Sequence, residues 1–248
     1  MFHVTKIYRM LFCRKGYGVH SPFVFDLITN VIEEMMIFYA YHDIAQIRLQ
    51  LLQKDKPIHY RDKKLAVKKV LRQYGISKKE GEFLFRMANH YKPHSILSVG
   101  SSMGLAPLCL SRYNSTVQCV TLEEEQDLAE IATHFLNKEK NPSLLIKTGA
   151  YEVTIPESIV QLQQIDCIFF GKDVEANNII TIFQQYLPFI HDNTFCVLAG
   201  IRSSSEKQHC WKQCCQLPCV TVAVDLFDMG ILFFQPKLHK RTYKTILP

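Results

Sequence analysis

A chain of 248 residues, 48 % of them hydrophobic, can bury a full core, and its mix of residues excludes a low-complexity or disordered polymer. No apolar run approaches the ~18–20 residues a helical membrane span needs, which excludes that class. The formal charge of +6 is uneven: residues 1–79 carry 15 Lys and Arg against 6 Asp and Glu, a balance of +9, and the rest of the chain carries −3.

The amino terminus lacks the long apolar stretch and small-residue cleavage site of a secretory signal, so a cytoplasmic protein is expected. Nine cysteines, an odd number, fit reduced thiols better than a disulfide framework. The basic excess between Lys54 and Lys79 reads as a solvated helical surface or as a docking face for RNA or another polyanion. No RRM-like or KH-like signature supports the second reading.

Residues 14–23 are basic and punctuated by Gly16 and Gly18. Ser21 is a natural N-cap with Pro22 at the first helical position. The four-residue spacing of Phe23, Leu27, Val31 and Met35 predicts a helix over 22–39 with one apolar face. A second helix is expected over 43–53, a loop over 54–62 and a short basic helix over 63–74 that ends at Gly75. Ser77 and Glu80 form a capping box for the next helix, which turns Phe83, Leu84 and Met87 inward and stops before Pro93. Residues 1–92 are thus expected to form a helical cap region, and 93–248 an α/β domain.

From residue 93 strands alternate with helices. Strands are expected over 95–100, 117–123, 143–148, 166–170, 194–198 and 220–227. Helices are expected over 103–113, 124–137, 174–186 and 204–216. Asp228-Met229-Gly230 is a turn signal, followed by a last strand over 231–235, which must run antiparallel to the strand before it.

The first of these strands ends in Gly100-Ser101-Ser102-Met103-Gly104. Strand, glycine turn and helix present backbone N–H groups to a ligand at the carboxyl end of an open sheet. A tight turn with no ligand would need the same glycines. The spacing is neither a dinucleotide fingerprint nor a Walker loop. It matches a hydrolase elbow centred on Ser102 only superficially, because the later Asp225 or Asp228 and His239 satisfy that reading by order alone. Cys210, Cys214, Cys215 and Cys219 are dense, but their spacing fits helix packing better than a zinc site.

Gly16-Tyr17-Gly18-Val19-His20-Ser21-Pro22-Phe23, Phe83-Leu84-Phe85-Arg86, Ile96-Leu97-Ser98-Val99-Gly100 with its turn, and Val224 to Phe234 are together similar to a known family. The chain resembles a class I S-adenosylmethionine-dependent O-methyltransferase of the stand-alone type found in Bacteroidetes-like bacteria. The resemblance implies a Rossmann-like methyltransferase fold, with a seven-stranded, mostly parallel sheet whose last strand is antiparallel. It implies S-adenosylmethionine as cofactor and a small-molecule oxygen, or a similar nucleophile, as acceptor.

In this family the turn at Gly100, Ser101, Ser102 and Gly104 would face the amino-acid and ribose parts of the cofactor. Ser98 stands where relatives carry the acid that holds its amino group. Glu123 stands where an acid accepts the ribose hydroxyls, in the expected order of strand, acid and helix; the alternative is a helix N-terminal acid that favours the dipole. Gly171, after the fourth expected strand, and Ala199-Gly200, after the fifth, replace the acids that hold a divalent ion in metal-dependent relatives, so no metal is expected. His20 is the candidate general base if its segment folds over the pocket, and a capping or packing residue otherwise. Two further readings stand beside methyl transfer: an inactive binding protein on the same fold, and an RNA-modifying methyltransferase.

Overall fold

The computed structural model describes residues 2–54, 56–139 and 141–248. The chain begins with α1 (Phe2–Phe12), α2 (Pro22–Leu27), a π-helical turn (Ile28–Ile32) and α3 (Tyr39–Leu52). A hairpin of β1 (Pro57–Tyr60) and β2 (Lys63–Ala66) follows, then α4 (Val67–Tyr74) and α5 (Lys78–Tyr91). Ser21 caps α2 as expected, and Ser77 and Glu80 form the capping box of α5.

Three expectations for this region need correction. The helix expected over 22–39 ends at Ile32, and Met35 is exposed. Its end is fixed by tertiary partners: the buried Arg86 guanidinium donates to the carbonyls of Val31 and Ile32, and the Glu33 carboxylate accepts from Lys15 N. The next helix starts at Tyr39 rather than 43. The loop expected over 54–62 and the start of the basic helix over 63–74 are a β-hairpin instead. Ile58 and Tyr60 alternate inward with a strand's period of two, and Ile58 pairs with Leu65.

The α/β part runs β3 (Ser95–Val99), α6 (Leu105–Ser111), β4 (Gln118–Glu123), α7 (Gln126–Leu136), β5 (Leu144–Thr148), α8 (Tyr151–Leu162), β6 (Ile165–Phe170) and α9 (Ala176–Tyr186). It continues with β7 (Ile190–Ala199), α10 (Ser205–Gln216), β8 (Val222–Asp225), β9 (Met229–Phe233) and β10 (Arg241–Lys244). Helices α1 and α8 went unread in the sequence. So did β10, which follows the basic run 237–241 and pairs in parallel with β8.

The strands form one sheet in the order β10-β8-β9-β7-β6-β3-β4-β5. All neighbours are parallel except β9, which is antiparallel to both β7 and β8. The α/β Rossmann-like architecture with an antiparallel late strand is therefore as expected, with eight strands rather than seven. Strand β9 lies inside the sheet, between β8 and β7.

The chain leaves β3 for β4 and β5 on one side, then returns to β6 on the other. This places the topological switch point at the carboxyl ends of β3, β4 and β6, where open α/β sheets bind ligands. Apolar clusters cover both faces of the sheet. One of them runs continuously from Val24 and Leu71 to Ile96 and Phe233, so residues 1–92 share a core with the sheet. Among the described residues no helix is long and apolar enough to cross a membrane.

Arg86 is the test of how this region is held. Arg86→Met keeps much of the side chain's bulk but strips the carbonyls of Val31 and Ile32 of their buried donor. Urea denaturation should show a loss of about 1–3 kcal/mol, the cost of leaving buried acceptors unsatisfied. A loss within a few tenths would show that those carbonyls find water.

Candidate functional site

The carboxyl ends of β3, β4 and β6 are locked together by backbone bonds. Gly100 N donates to Leu122 O and Gly171 N donates to Val99 O. At this edge Glu123, the last residue of β4, is only 2 % exposed. Its carboxylate accepts from Ser101 N at 2.9 Å, from Ser101 Oγ at 2.5 Å and from Glu125 N at 3.3 Å. Ser101 Oγ in turn accepts from Met103 N. Glu123 thus clamps the turn that the sequence singles out.

That turn is conformationally costly. Gly100 and Gly104 have positive φ, as do Ser102 and Met103, which carry side chains. Ser102 Oγ is buried without a hydrogen-bond partner. The two glycines are needed for different reasons. A β-carbon on Gly100 would lie 2.6 Å from Asp173 Oδ1, whereas one on Gly104 would lie 3.1 Å from Ala132 Cα in α7. Gly104 therefore allows close packing against α7.

Asp173 is the centre of the site. It follows β6 in the loop Gly171-Lys172-Asp173-Val174, and its Oδ1 is buried with no partner. A β-carbon on Gly171 would collide with it, so Gly171 makes room for Asp173. Burial pushes the Asp173 carboxyl up to about 6, against the pull of its own and Val174's backbone N–H groups, Lys207 and Arg61. Burial, and next the charge of Asp173, push Glu123 up to about 8. Two buried carboxyls therefore share one crevice and disfavour each other's ionisation.

The hairpin β1–β2 lies across this crevice. Its two turn residues, Arg61 and Asp62, both have positive φ, the backbone of a type I′ turn. The turn is tied to both flanks. His59 N donates to the Asp127 carboxylate and Arg61 N to that of Glu125, at the start of α7. The Arg61 guanidinium donates to Asp173 O at 2.6 Å and lies over the rings of Tyr60 and Tyr74. Tyr60 is buried beneath it, its hydroxyl without a partner and its phenol pushed far up by burial.

Beside the hairpin a cavity of about 600 Å³ is lined by Arg61, Tyr74, Lys172, Asp173, Ser203 and Lys207, among others. Lys172 is paired with Glu80 at 2.7 Å. Lys207, in the first turn of α10, is only 7 % exposed, and its Nζ is buried without a hydrogen-bond partner. Burial draws its ammonium down to about 8, while Asp173 supports the charge.

The residues proposed from sequence divide accordingly. Gly100, Ser101, Ser102, Glu123 and Gly171 come together at the strand ends. None of them lines the cavity, because Asp173, Val174 and the hairpin lie between. Ser98 is fully buried and donates to Gly100 O, so it faces the protein rather than the cavity. His20 does not join the site. It is exposed and does not line the cavity, and three residues later Phe23 packs edge-on against Phe233, toward the opposite end of the sheet. Asp173, Lys207, Arg61 and Tyr60 were not proposed. Only Tyr60 left a trace in sequence, in the alternation of Ile58 and Tyr60.

Cys210 and Cys214 are buried in the core on α10, as helix packing predicts. Among the described residues no group of three His, Cys, Asp or Glu side chains is placed to hold a metal ion.

No family model matches the chain, and no curated protein matches it in sequence. Solved structures do match in fold. SAH-bound methyltransferase PaMTH1 of Podospora anserina has a TM-score of 0.60 at 14 % identity, covering 87 % of this chain and 97 % of its own. An O-methyltransferase from Bacillus cereus in complex with SAH has a TM-score of 0.56 at 15 % identity, covering 94 % and 100 %. The O-methyltransferase TomG of Streptomyces achromogenes, involved in tomaymycin synthesis and solved with SAM, has a TM-score of 0.56 at 15 % identity, covering 81 % and 91 %. The fold of this chain is that of these Rossmann-like methyltransferases.

The buried carboxyls make a pH signature. Both have folded-state pKa values above their ordinary ones, Glu123 moving from 4.5 to about 8. The folded state then holds more protons than the unfolded chain between about pH 4.5 and 8, so stability falls as pH rises through that window. The slope should approach about 1.4 kcal/mol per pH unit for each proton so held. Glu123→Gln should flatten it in denaturation curves from pH 5 to 8. A variant with the wild-type slope would assign the dependence to other groups.

Proposed function

We propose that this chain is an S-adenosylmethionine-dependent methyltransferase acting on an oxygen or similar nucleophile of a small molecule, without a metal. The observation that carries the reading is the convergence of two buried carboxyls, Glu123 and Asp173, with three unpartnered polar atoms. Those atoms are Tyr60 Oη, Ser102 Oγ and Lys207 Nζ, and all five groups lie around the switch point of a methyltransferase fold. Buried polar atoms lacking partners are rare, and a cluster of them fits a polar ligand. Paired buried carboxyls fit one that carries positive charge.

The cofactor would supply a methyl group already activated on a sulfonium. What remains for the protein is alignment and exclusion of water. Glu123 would accept the ribose hydroxyls once Ser101 Oγ yields its place on the carboxylate. The hairpin, with Tyr60 beneath and Arg61 across the entrance, closes the crevice and must lift to admit a nucleoside. Metal independence rests on Gly171, Ala199 and Gly200 standing where metal-dependent relatives have acids. A second reading, a non-catalytic binding protein on the same fold, is favoured by one observation: Asp173 already fills the space over Gly100.

Calorimetric titration with S-adenosylhomocysteine separates the two. The methyltransferase reading expects saturable one-to-one binding, weakened in Glu123→Gln by about 1–3 kcal/mol, the range for hydrogen bonds to a charged group. Absence of binding at millimolar ligand would remove that reading. Binding unchanged in the variant would remove the ribose role of Glu123.

A further inference from the structure

We infer that α1 is one half of a symmetric interface, and that a second copy of this chain covers its outer face. Val4, Ile7, Tyr8 and Leu11 follow the i, i+3, i+4, i+7 spacing of a stripe that a surface helix normally turns to its own core. Here the stripe faces outward. Val4 is 70 % exposed, Ile7 56 %, Tyr8 57 % and Leu11 69 %, and Phe12, whose ring packs against Tyr8, is 63 % exposed.

What α1 turns to its own chain is its charged side. The Arg9 guanidinium is buried and grips the Asp225 carboxylate at the end of β8, and Lys6 pairs with Asp228 just before β9. The helix is docked through ion pairs, and its apolar stripe has no cover in the single copy. The exposure is local. Of the fifteen large hydrophobic residues exposed among the described residues, twelve lie between Val4 and Tyr39. Met35, Met36, Ile37 and Tyr39 belong to the same region, because Glu33 ties their segment to Lys15 N and Arg14, just beyond α1. Exposed apolar surface on this scale marks a contact site.

Charge and area decide the occupant. A helix that lies on an anionic lipid surface keeps free cations beside its apolar face. Those of α1 are engaged within the chain, Lys6 by Asp228 and Arg9 by Asp225, and Arg14 just beyond it by Glu33. The face that remains is apolar and nearly uncharged, and its complement must be so too. Taking about 150–250 Å² for a large side chain, the five outer residues of α1 offer roughly 600 Å², which residues 35–39 bring to the ~800 Å² that each partner gives in a standard interface.

A second copy supplies a matching face by symmetry. Two α1 helices crossing antiparallel on a two-fold axis set Val4 of one copy against Leu11 of the partner subunit. The inner side of α1 gives the pairing a consequence. Lys6 and Met10 line a cavity of about 480 Å³ with Lys172, Gly200 and Ser203, beside the candidate site. A partner that clamps α1 therefore completes a wall of that cavity.

Sedimentation equilibrium of the full chain tests the interface. The wild-type protein should be a dimer at about 10 μM, well above a micromolar dissociation constant. Ile7→Lys and Leu11→Glu, both on the stripe, should each weaken it at least about thirtyfold, the size of an interface hot spot. Val160→Glu, at a residue of α8 that is 77 % exposed, should leave the dimer whole. Far-UV circular dichroism checks that each variant is folded, and two substitutions on the stripe guard against one that is not. A wild-type protein that stays monomeric at about 100 μM, or a dimer that survives both stripe substitutions, overturns the inference. So does a monomer that floats with phosphatidylglycerol vesicles and no longer does so in the stripe variants, a result that gives the face to lipid.

Discussion

The carboxyl edge of this sheet depends on a carboxyl group that water scarcely reaches. Glu123 sits at the end of a central strand and ties down Ser101, which in turn orders the strained turn through Gly100 and Gly104. A carboxyl buried that deeply is costly, and a second one, Asp173, stands in the same crevice. Arrangements of this kind raise pKa values at functional sites more often than in ordinary cores. In a closed crevice the cheapest resolution is to keep a proton, and a cationic ligand offers another.

The closure itself has a definite physical basis. The hairpin covers the crevice through charge-assisted bonds at both flanks, from the backbone at His59 and Arg61 to Asp127 and Glu125, and from the Arg61 guanidinium to the carbonyl of Asp173. Its turn places Arg61 and Asp62 in left-handed conformations, a strain that neither residue type relieves as glycine would. Ser102 and Met103 carry the same strain across the crevice. Polar ties and strained turns on both sides describe a cover that can open at modest cost, unlike the apolar core beneath it.

The sequence reveals the frame of the fold better than its site. Strands β3, β4, β6 and β7 are short apolar runs bounded by turn residues. The turn between β8 and β9, at 226–228 rather than the expected 228–230, makes β9 antiparallel by geometry alone. The capping box at Ser77 and Glu80 marks the start of α5. What the sequence conceals is decided by tertiary contact. The π-helical turn after α2 ends where Arg86, more than fifty residues on, meets its carbonyls. Strand β10 forms just after the basic run 237–241 because β8 offers it an edge.

At the site the glycine turn and Glu123 were legible because strand, turn and acid follow one another in order. Asp173 and Lys207 were not, because one lies on a loop and the other on a helix far along the chain, and their meaning comes from a shared cavity. His20 looked suitable by residue type and failed by position.

The crevice holds a proton, and a cationic nucleoside would displace it. Titration of S-adenosylmethionine at pH 7 in two buffers of different ionisation enthalpy reads the exchange. Net proton release on binding is the expected outcome, because Glu123, pushed up to about 8, would ionise as the sulfonium enters the crevice. Binding with no proton exchange, or with net uptake, would rule this out.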